Sequence, residues 1–346
     1  MFTRRQIFIG CPINVPQIYE PLKEQGYELI FGAEPCHPIA SARARYSEEE
    51  LIEKLRDVDA VLSSSPLPLT RRVLTATRRL LCICQRIIGY DNIDVETASE
   101  LGILVSNAPS ELNFISVAEH TVALILSLAK KLKIIPNLLI RDSSVYYDEC
   151  INTMILKGKT VGIIGLGRIG ARVATLLRAF DVELFGYDPY VTMEKARNIG
   201  VRLVDLDKLL KESDLVTIHS KLTAETYHMI GPRELALMKK TAYIINTARG
   251  AIIDEAALIN ALKKGVIAGA ALDVLEKEPI TPNNPLLKMD NVILTPHIAG
   301  RNTEAIIEGE KLAVSNILNL MKGNVTEYVV NPEAIPEWKK RFTGFQ

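Results

Sequence analysis

Short apolar runs alternate with helix-like patterns through the N-terminal third of the chain. These runs are brief and rich in β-branched residues, which is typical of strands buried on both faces of a sheet. The predicted strands are Ile7–Ile9, Tyr27–Ile30, Ala60–Leu62, Leu80–Cys84 and Leu104–Ser106. The predicted helices are Pro16–Gln25, Ser47–Leu55, Thr70–Ala76 and Val95–Leu101, with a capping box at Ser47 and Glu50 and a C-terminal glycine at Gly102. This alternation predicts parallel strands connected by crossover helices.

A second alternating series begins near residue 160 and is long enough for a complete doubly wound sheet. Its predicted strands are Thr160–Ile164, Val182–Tyr187, Val201–Val204, Leu215–His219, Ala242–Asn246, Ile267–Leu272 and Val292–Leu294. A long helical pattern then runs from Thr303 to Met321. Because the second series has no strand left for this helix to cover, we expect the helix to return to the first series. The second domain is then an insertion in the first.

The segment between the two series, residues 111 to about 132, forms one long helical pattern that is apolar on more than one face. Such a helix is either wedged between domains or part of a dimer interface. Its apolar stretch, Thr121–Ala129, is expected to be too short to span a bilayer. The N-terminus lacks the apolar core of a signal peptide.

Composition and charge argue against several classes of partner. Lys and Arg (41 together) balance Asp and Glu (41 together), so no net charge favours nucleic acid or an acidic membrane surface. The cysteines form no CxxC pair, which predicts free thiols in a reducing compartment and no zinc site; they are Cys11, Cys36, Cys82, Cys84 and Cys150. We therefore expect a cytoplasmic α/β protein without a metal centre, a nucleic-acid partner or a membrane anchor.

A glycine-rich turn follows the first strand of the second series and opens a predicted helix, Ile169 to Ala179; it reads Gly165-Leu166-Gly167-Arg168-Ile169-Gly170. Gly165 permits a tight turn, Gly167 lets the backbone approach a pyrophosphate, and Gly170 lets the helix pack closely on the strand. The pyrophosphate would lie at the helix N-terminus, where unpaired N–H groups and the helix dipole favour an anion. Glycine spacing alone is a weak signal, because such clusters also form ordinary turns.

The next strand ends at Tyr187-Asp188, eighteen residues beyond Gly170. A carboxylate at this place accepts hydrogen bonds from the adenosine ribose hydroxyls and would repel a 2′-phosphate. Pro189 and Tyr190 follow, so no basic residue stands directly after Asp188. In isolation Asp188 would be a turn residue before a proline. With strand, glycines, helix and second strand all in place, the pattern predicts NAD binding.

Further polar residues stand just beyond predicted strands, where ligands of a doubly wound sheet bind. Asp273 directly follows one strand, and Arg249 and His297 each come three residues after another. The guanidinium of Arg249 could hold a substrate carboxylate in two hydrogen bonds, and Gly250 allows close backbone approach. Taken alone, Arg249 would be an ordinary solvated loop arginine.

Histidine is the natural proton donor or acceptor for a carbinol, and the chain has five. His37 and His228 are expected to be surface residues, and His120, on the long apolar helix, a core or interface residue. His219 and His297 both lie at strand ends, and the residues alone do not decide between them.

Six blocks of sequence, in one order, resemble the D-isomer-specific 2-hydroxyacid dehydrogenase family. The resemblance covers roughly residues 7 to 330. Besides the glycine motif, the blocks are Gly89-Tyr90-Asp91-Asn92-Ile93-Asp94, Ser116-Val117-Ala118-Glu119-His120-Thr121, Ile245-Asn246-Thr247-Ala248-Arg249-Gly250, Leu272-Asp273-Val274-Leu275-Glu276-Lys277-Glu278-Pro279 and Leu294-Thr295-Pro296-His297.

The resemblance implies two doubly wound parallel-sheet domains. A Rossmann cofactor domain, residues 109–299, would be inserted into a flavodoxin-like substrate domain, residues 1–108 and 300–346. It also implies NAD as cofactor, hydride transfer at carbon 2 of a small D-2-hydroxy acid or 2-oxo acid, and a homodimer built on the cofactor domains.

Residue roles also follow from the resemblance. The family's Arg, Glu, His catalytic set falls on Arg249, Glu278 and His297, and Glu278 is chosen over Glu276 because it directly precedes a proline. Asp273 would hold the nicotinamide carboxamide. Two further residues, His219 and Thr247, would lie at the cofactor, and backbone amides around Ile88, Gly89 and Tyr90 would help to bind the substrate carboxylate.

Two departures from the family pattern bear on specificity. After His219 the chain has Ser220-Lys221 where the family usually carries a proline, so Lys221 weakens the predicted exclusion of NADP. Phosphoglycerate dehydrogenases carry an Arg-Ser pair before a Leu-Thr; anchored on Leu69-Thr70, this chain has Ser64-Ser65. An unphosphorylated substrate is therefore expected.

Three other functions remain as alternatives. A phosphoglycerate dehydrogenase lacking a regulatory domain is one, since no such domain is expected after Gln346. A dinucleotide-sensing corepressor would retain the same residues, but the long disordered tails of such proteins are not expected here. A formate dehydrogenase-like enzyme would carry Gln in place of Glu278.

Overall fold

The computed structural model describes residues 5–35, 46–63, 67–141 and 152–344. The chain divides into two compact units, Met1–Asn113 with Arg301–Gln346, and Phe114–Gly300. Several residues of the sequence predictions, namely Cys36, His37, Ser64, Ser65 and Cys150, lie outside the described residues. The other three cysteines, Cys11, Cys82 and Cys84, are buried free thiols, as expected.

The N-terminal segment forms five strands and four short helices in the predicted alternation. The strands are β1 Gln6–Ile9, β2 Glu28–Phe31, β3 Ala60–Ser63, β4 Cys82–Gln85 and β5 Leu104–Ser106; the helices are α1 Glu20–Glu24, α2 Glu48–Leu55, α3 Arg71–Thr75 and α4 Val95–Glu100. Ser47 and Glu50 form the expected capping box of α2, which stabilises a helix by about 1 kcal/mol. Gly102 has a φ of +61° at the end of α4, where a side chain would be strained.

Seven strands lie in the described part of the second unit. They are β6 Thr160–Ile164, β7 Glu183–Tyr187, β8 Arg202–Leu203, β9 Leu215–Ile218, β10 Tyr243–Asn246, β11 Gly269–Leu272 and β12 Val292–Leu294. Its helices are α5 Glu111–Ala129, α6 Ile134–Arg141, α7 Arg168–Leu177, α8 Met193–Asn198, α9 Leu206–Glu212, α10 Pro232–Leu237 and α11 Glu255–Lys263. The chain then returns to the first unit as α12 Thr303–Met321 and α13 Ile335–Gly344.

Both sheets are parallel throughout and have the orders that the fold class requires. The first has the order β2-β1-β3-β4-β5, and the second β12-β11-β10-β9-β6-β7-β8. In the second sheet the strand order reverses between β6 and β9, and a doubly wound sheet binds ligands at such a point. The predicted fold class is confirmed.

Successive residues along the strands of the second unit lie on opposite faces of the sheet and belong to two different hydrophobic clusters. Ile163 packs with Val173 and Leu177 of α7, whereas Ile164 packs with Leu209 of α9 and Leu258 of α11. Helices therefore cover both faces of the sheet, and its apolar strands are shielded from water on both sides.

In the first unit, α12 packs on β3 and β4. Ala313, Ile317 and Leu320 share a buried cluster with Ile7 and Leu62. The predicted return of this helix to the first sheet is thus confirmed.

The long apolar helix differs from its prediction. It ends at Ala129 instead of 132, because Lys131 has a left-handed φ of +54° and the N–H groups of Lys131 and Leu132 fold back onto the carbonyls of Leu128 and Ser127. A separate helix, α6, follows. The apolar pattern continues across the break, so hydrophobicity alone did not show it.

The sequence prediction considered only the nine residues Thr121–Ala129, but the helix that contains them is longer. At 19 residues and a mean hydropathy of 1.6, α5 is long and apolar enough to cross a membrane by length and composition. Its buried residues include Leu124, Ile125 and Leu128, which share a core with Val161 and Ile163 of β6. The core helix of a water-soluble domain passes the same test of length and composition.

Candidate active site

The glycine turn joins β6 to α7 in a conformation that only glycines permit. Gly165 has a φ of +89°, and a Cβ there would lie 2.6 Å from the backbone nitrogen of Ser220. A Cβ on Gly170 would lie 2.0 Å from the carbonyl oxygen of Gly165. Gly167, by contrast, has open space around its Cα and caps α7 without a side-chain hydrogen bond. Gly165 and Gly170 are therefore packed against protein backbone, whereas the space beside Gly167 is open. This arrangement leaves room for a pyrophosphate to approach the turn.

The two residues that follow Gly167 are held by packing. The Arg168 guanidinium lies 4.9 Å from the centre of the Phe114 ring, and Ile169 packs against the core beneath α7. The helix N-terminus is therefore fixed in position without a capping side chain.

Asp188 follows β7 and faces the glycine turn. Its Oδ2 accepts a hydrogen bond from the backbone N–H of Leu166 at 2.8 Å, and its Oδ1 accepts one from Tyr190 N–H at 2.9 Å. Each oxygen has a second lone pair available. The carboxylate is thus oriented at the turn while retaining acceptor capacity for ribose hydroxyls.

His219, directly after β9, is buried beside the glycine turn. Its Nε2 lies 3.0 Å from the Thr217 hydroxyl, while Nδ1 and the neighbouring Ser220 hydroxyl are buried without a hydrogen-bond partner among the described residues. Burial lowers the pKa of His219 to about 3, so the imidazole is neutral at physiological pH. Orphaned polar atoms beside the open turn fit a polar ligand such as a dinucleotide.

Arg249 follows β10 on a turn whose geometry depends on Gly250. A Cβ on Gly250 would lie 1.9 Å from the backbone carbon of Leu275, so the turn lies directly against the loop after β11. One Arg249 nitrogen donates to the Ala248 carbonyl at 2.8 Å. The hydroxyl of Thr247 is hydrogen-bonded to the hydroxyl of Thr121 on α5, at 2.9 Å.

Asp273, after β11, supports the loop that carries His297. The Asp273 carboxylate accepts hydrogen bonds from the Thr295 hydroxyl and from the N–H groups of Ile298 and Ala299, at 2.6–2.9 Å. The Asp273 carbonyl accepts from His297 N–H at 2.7 Å. With three such bonds, each worth about 1.5–3 kcal/mol, the buried carboxylate contributes substantially to holding His297 at a φ of +52°. His120 on α5 also contacts Thr295, at 3.1 Å.

His297 and Glu278 form a hydrogen-bonded pair. Nδ1 of His297 lies 2.8 Å from Oε2 of Glu278, while Oε1 accepts from Leu275 N–H at 3.0 Å. This hydrogen bond raises the pKa of His297, against the opposing effects of desolvation and of the Arg249 charge. Desolvation by itself would raise the pKa of Glu278, but bonds from His297 and Leu275 and the charges of His297 and Arg249 hold that pKa below its usual value. The side chain of His297 is 51% exposed, so its second nitrogen is accessible.

Glu276, the other glutamate of this loop, faces elsewhere. Its Oε1 pairs with His228 at 2.9 Å, and its Oε2 accepts from the N–H of Glu255 at 3.2 Å. It therefore does not contact His297, and the geometry favours Glu278, as the resemblance implied.

In the loop after β4 of the first unit, two backbone carbonyl groups are fixed by hydrogen bonds from side-chain amides. The Gln85 amide donates to the Gly89 carbonyl at 3.0 Å, and the Asn107 amide donates to the Ile88 carbonyl at 2.9 Å. Among the described residues, nothing accepts the N–H groups of Ile88, Gly89 and Tyr90. Fixing the carbonyls on one side leaves these amides available to an anion.

The structure thus brings Arg249, Glu278 and His297 together in the second unit and places the glycine motif, Asp188 and His219 around one turn. Sequence reasoning missed three residues that contact the neighbouring loops of the second unit, Thr121, His228 and Thr295. It also missed Gln85 and Asn107, which hold the carbonyls of the loop after β4 in the first unit. Gln85 and Asn107 stand at the carboxyl ends of β4 and β5, and that position was the signal available for them.

Residues 122–299 match a family model described as "D-isomer specific 2-hydroxyacid dehydrogenase, NAD binding domain". The second unit is therefore an NAD-binding domain, and the cofactor it binds is NAD.

Curated relatives fall into two groups. The chain is 43% identical over 324 residues to a D-3-phosphoglycerate dehydrogenase of Archaeoglobus fulgidus, covering 92% of this chain and 59% of that protein. It is 43% identical over 295 residues to a glyoxylate reductase of Thermofilum pendens, covering 84% of this chain and 86% of that protein. The chain spans about three fifths of the length of the phosphoglycerate dehydrogenases that it matches.

Solved structures agree over nearly the whole chain. A D-lactate dehydrogenase from Aquifex aeolicus, complexed with NAD and lactic acid, matches with a TM-score of 0.81 and 32% identity, covering 94% of this chain and 99% of that one. A glyoxylate reductase from Paecilomyes thermophila matches with a TM-score of 0.81 and 30% identity, covering 96% and 99%. The chain belongs to the D-isomer-specific 2-hydroxyacid dehydrogenase family.

Proposed function

We propose that this member of the family is an NAD-dependent dehydrogenase that interconverts a small, unphosphorylated 2-oxo acid and the corresponding D-2-hydroxy acid. The observation that carries the proposal is the 2.8 Å bond between His297 Nδ1 and Glu278 Oε2, close enough to Arg249 for its charge to act on both. A cationic imidazole, a carboxylate partner and a guanidinium form a set that can bind an oxo acid and protonate it.

Substrate binding is assigned to Arg249. Its planar guanidinium would hold the substrate carboxylate and polarise the adjacent carbonyl through charge-assisted hydrogen bonds. For the first unit, the backbone amides of Ile88, Gly89 and Tyr90 are proposed to contribute to substrate binding, supported by the way Gln85 and Asn107 hold the carbonyls of their loop.

Proton transfer is assigned to Nε2 of His297. Because Nδ1 is bonded to Glu278, Nε2 is the nitrogen left for the substrate oxygen. Bound NADH supplies the hydride for carbon 2. In the reduction, the carbonyl oxygen takes the proton from Nε2, the C=O becomes a CH–OH, and Glu278 stabilises the imidazolium before the transfer. In the oxidation, neutral His297 takes the proton back.

An unphosphorylated substrate is proposed because Ser64 stands where phosphoglycerate dehydrogenases carry an arginine. The missing guanidinium would cost about 2 kcal/mol or more in binding a phosphorylated transition state.

A panel of oxo acids tests the proposal. With NADH in excess, kcat/KM is measured for glyoxylate, hydroxypyruvate and phosphohydroxypyruvate. We expect an unphosphorylated acid to exceed phosphohydroxypyruvate at least tenfold, and Ser64→Arg to narrow the difference. Ser65→Ala is the matched control, expected to leave the ratio unchanged. Preference of the parent for phosphohydroxypyruvate refutes the substrate assignment, and turnover of none of the acids refutes the enzymatic assignment.

NADH is proposed to be preferred over NADPH because Asp188 faces the glycine turn and would repel a 2′-phosphate. We expect kcat/KM with NADH to exceed that with NADPH, and Asp188→Ser to reduce the ratio. The Lys221→Ala variant tests whether Lys221 permits NADPH to bind. If the parent uses NADPH as well as NADH and Lys221→Ala abolishes the use of NADPH, then Lys221 and not Asp188 determines the cofactor preference.

A homodimer through the cofactor domains and a cytoplasmic location complete the proposal. The described residues of the second unit include several exposed large apolar side chains, among them Leu132, Leu139, Ile140 and Ile155. Exposed apolar side chains of this size are common at subunit interfaces, although single ones also occur on monomers. Sedimentation equilibrium of the purified protein distinguishes a dimer from a monomer.

A further inference from the structure

His228 touches the turn that carries Arg249. It has a left-handed φ of +50°, and its backbone N–H donates to the carbonyl of Ala251 at 2.8 Å. Two positions further on, Ile230 N–H donates to the Ile252 carbonyl at 3.1 Å. The backbone around His228 thus fixes the residues that directly follow Arg249 and Gly250.

The side chain of His228 touches a different loop, the one that carries Glu278. Its Nε2 lies 2.9 Å from Oε1 of Glu276, and both side chains are about one third exposed. The Tyr227 ring stacks on the imidazole, with centroids 4.0 Å apart and an angle of 16° between the planes. The stacking fixes the orientation of the imidazole toward Glu276.

Glu276 is in turn joined to the start of α11. Its Oε2 accepts from Glu255 N–H at 3.2 Å, and its own N–H donates to Glu255 Oε2 at 3.1 Å. Since both carboxylate oxygens are engaged, Glu276 is fixed on two sides. The adjoining residue, Leu275, donates its N–H to Glu278.

We propose that His228 and Glu276 are positioning residues that hold the Arg249 turn and the Glu278 loop in register with each other. The assignment rests on the proposed function, since Arg249 and Glu278 are its binding and orienting groups. Neither positioning residue contacts His297; they act through the backbones on which the catalytic side chains stand. A displacement of about 1 Å in such a set of catalytic groups lowers the rate roughly a hundredfold. A contact that joins the two loops can therefore have a large effect on the rate.

The test uses His228→Asn, Glu276→Gln and the double variant. Asparagine tolerates a left-handed φ, so His228→Asn keeps the backbone while shortening the side chain. We expect each single variant to lower kcat for oxo-acid reduction roughly tenfold or more, with the KM for NADH changed less than twofold. The double variant should be no worse than the more impaired single variant, because both changes break one contact.

A second readout does not depend on turnover. The groups that act on the His297 charge are Glu278, Arg249 and Asp273. If the loop carrying Glu278 loosens, the hydrogen bond to His297 weakens and the pKa of His297 falls. An NMR titration of the imidazoles, with His297 assigned by its loss in His297→Asn, should show this fall in both single variants.

Asp207→Asn is the matched control. Asp207 forms an exposed ion pair with Arg233 at 2.6 Å in the same unit and contacts neither His228 nor Glu276, so no change in kcat or in the His297 titration is expected. Additive losses in the double variant, or an unchanged His297 titration in both single variants, would overturn the positioning role. If the parent protein turns over no oxo acid, the proposed function is wrong. The His297 titration still tests whether His228 and Glu276 position the loop that carries Glu278.

Discussion

Two histidines at the same edge of one sheet have opposite properties. His219 directly follows β9 and is buried without a charged partner, which lowers its pKa to about 3. His297 lies three residues after β12, half exposed, and its hydrogen bond to Glu278 raises its pKa. The sequence places both at strand ends, where chemistry is expected, yet burial disfavours the protonated form of His219 while Glu278 favours that of His297.

The difference teaches that position at the carboxyl edge selects candidates but does not select the acid. Desolvation penalises the imidazolium, and only a nearby negative charge compensates for that penalty. His297 has such a charge because the loop after β11 brings Glu278 to it, while Asp273 fixes the backbone beneath it. His219 has the Thr217 hydroxyl, which does not stabilise a cation to the same degree.

The strongest test of the comparison removes the imidazole of His297. Asparagine accepts the left-handed φ of +52° but donates no proton, so His297→Asn should fold and lose general acid catalysis. We expect kcat for reduction to fall by about 10²–10⁴ while the Kd for NADH stays within twofold. Stopped-flow reduction and NADH fluorescence titration measure the two quantities. A loss below tenfold would mean that another group supplies the proton.

Arg249 offers the next largest effect, because it binds substrate and also acts on the pair. Arg249→Lys keeps the charge and removes the two-pronged geometry, so kcat/KM should fall about 30-fold, the equivalent of ~2 kcal/mol. Arg249→Gln removes the charge as well. Since that charge lowers the pKa of His297, the alkaline limb of reduction should move to higher pH in Arg249→Gln only. Equal pH profiles in both variants would contradict the electrostatic part of this account.

Glu278→Gln sharpens the comparison because it leaves His297, like His219, without a carboxylate partner. The amide keeps the shape but not the charge, so the pKa of His297 should fall. Reduction needs the imidazolium and fails as pH rises through that pKa, so its alkaline limb should move to lower pH. Oxidation needs neutral imidazole, so its acidic limb should move the same way, which favours oxidation at neutral pH.

Profiles of kcat/KM in both directions, for the parent and Glu278→Gln, decide the matter. Lys277→Gln is the control, because it changes a neighbouring charge without touching the pair. If neither limb moves in Glu278→Gln, the 2.8 Å contact does not set the protonation of His297 in solution.

Much of this architecture was predictable because it rests on local patterns. Buried parallel strands are continuous apolar runs, and all twelve appear in the sequence near their observed bounds. The helices α9 and α11 of the second unit were not among the predicted elements, although their lengths of 7 and 9 residues exceed those of α3 and α4, which were predicted.

The candidate site divides in the same way. Gly165 and Gly170 were predictable from spacing, because a Cβ there would strike backbone. The choice between His219 and His297 was not, because it depends on contacts between distant segments: Glu278 with His297, and Asp273 with the 295–299 loop. Resemblance to a family supplied the assignment, and the observed burial and charge supply its physical reason.

His219 provides the smallest expected effect and completes the comparison. His219→Gln keeps a polar group within reach of Thr217 but removes the ring nitrogen that lacks a partner. If that nitrogen bonds the cofactor, the KM for NADH should rise about fivefold, the ~1 kcal/mol of one hydrogen bond. The pH profile of reduction should keep its shape, because an imidazole with a pKa of about 3 stays neutral across the working range. A displaced alkaline limb in His219→Gln, with an unmoved one in Glu278→Gln, would reverse the roles of the two histidines.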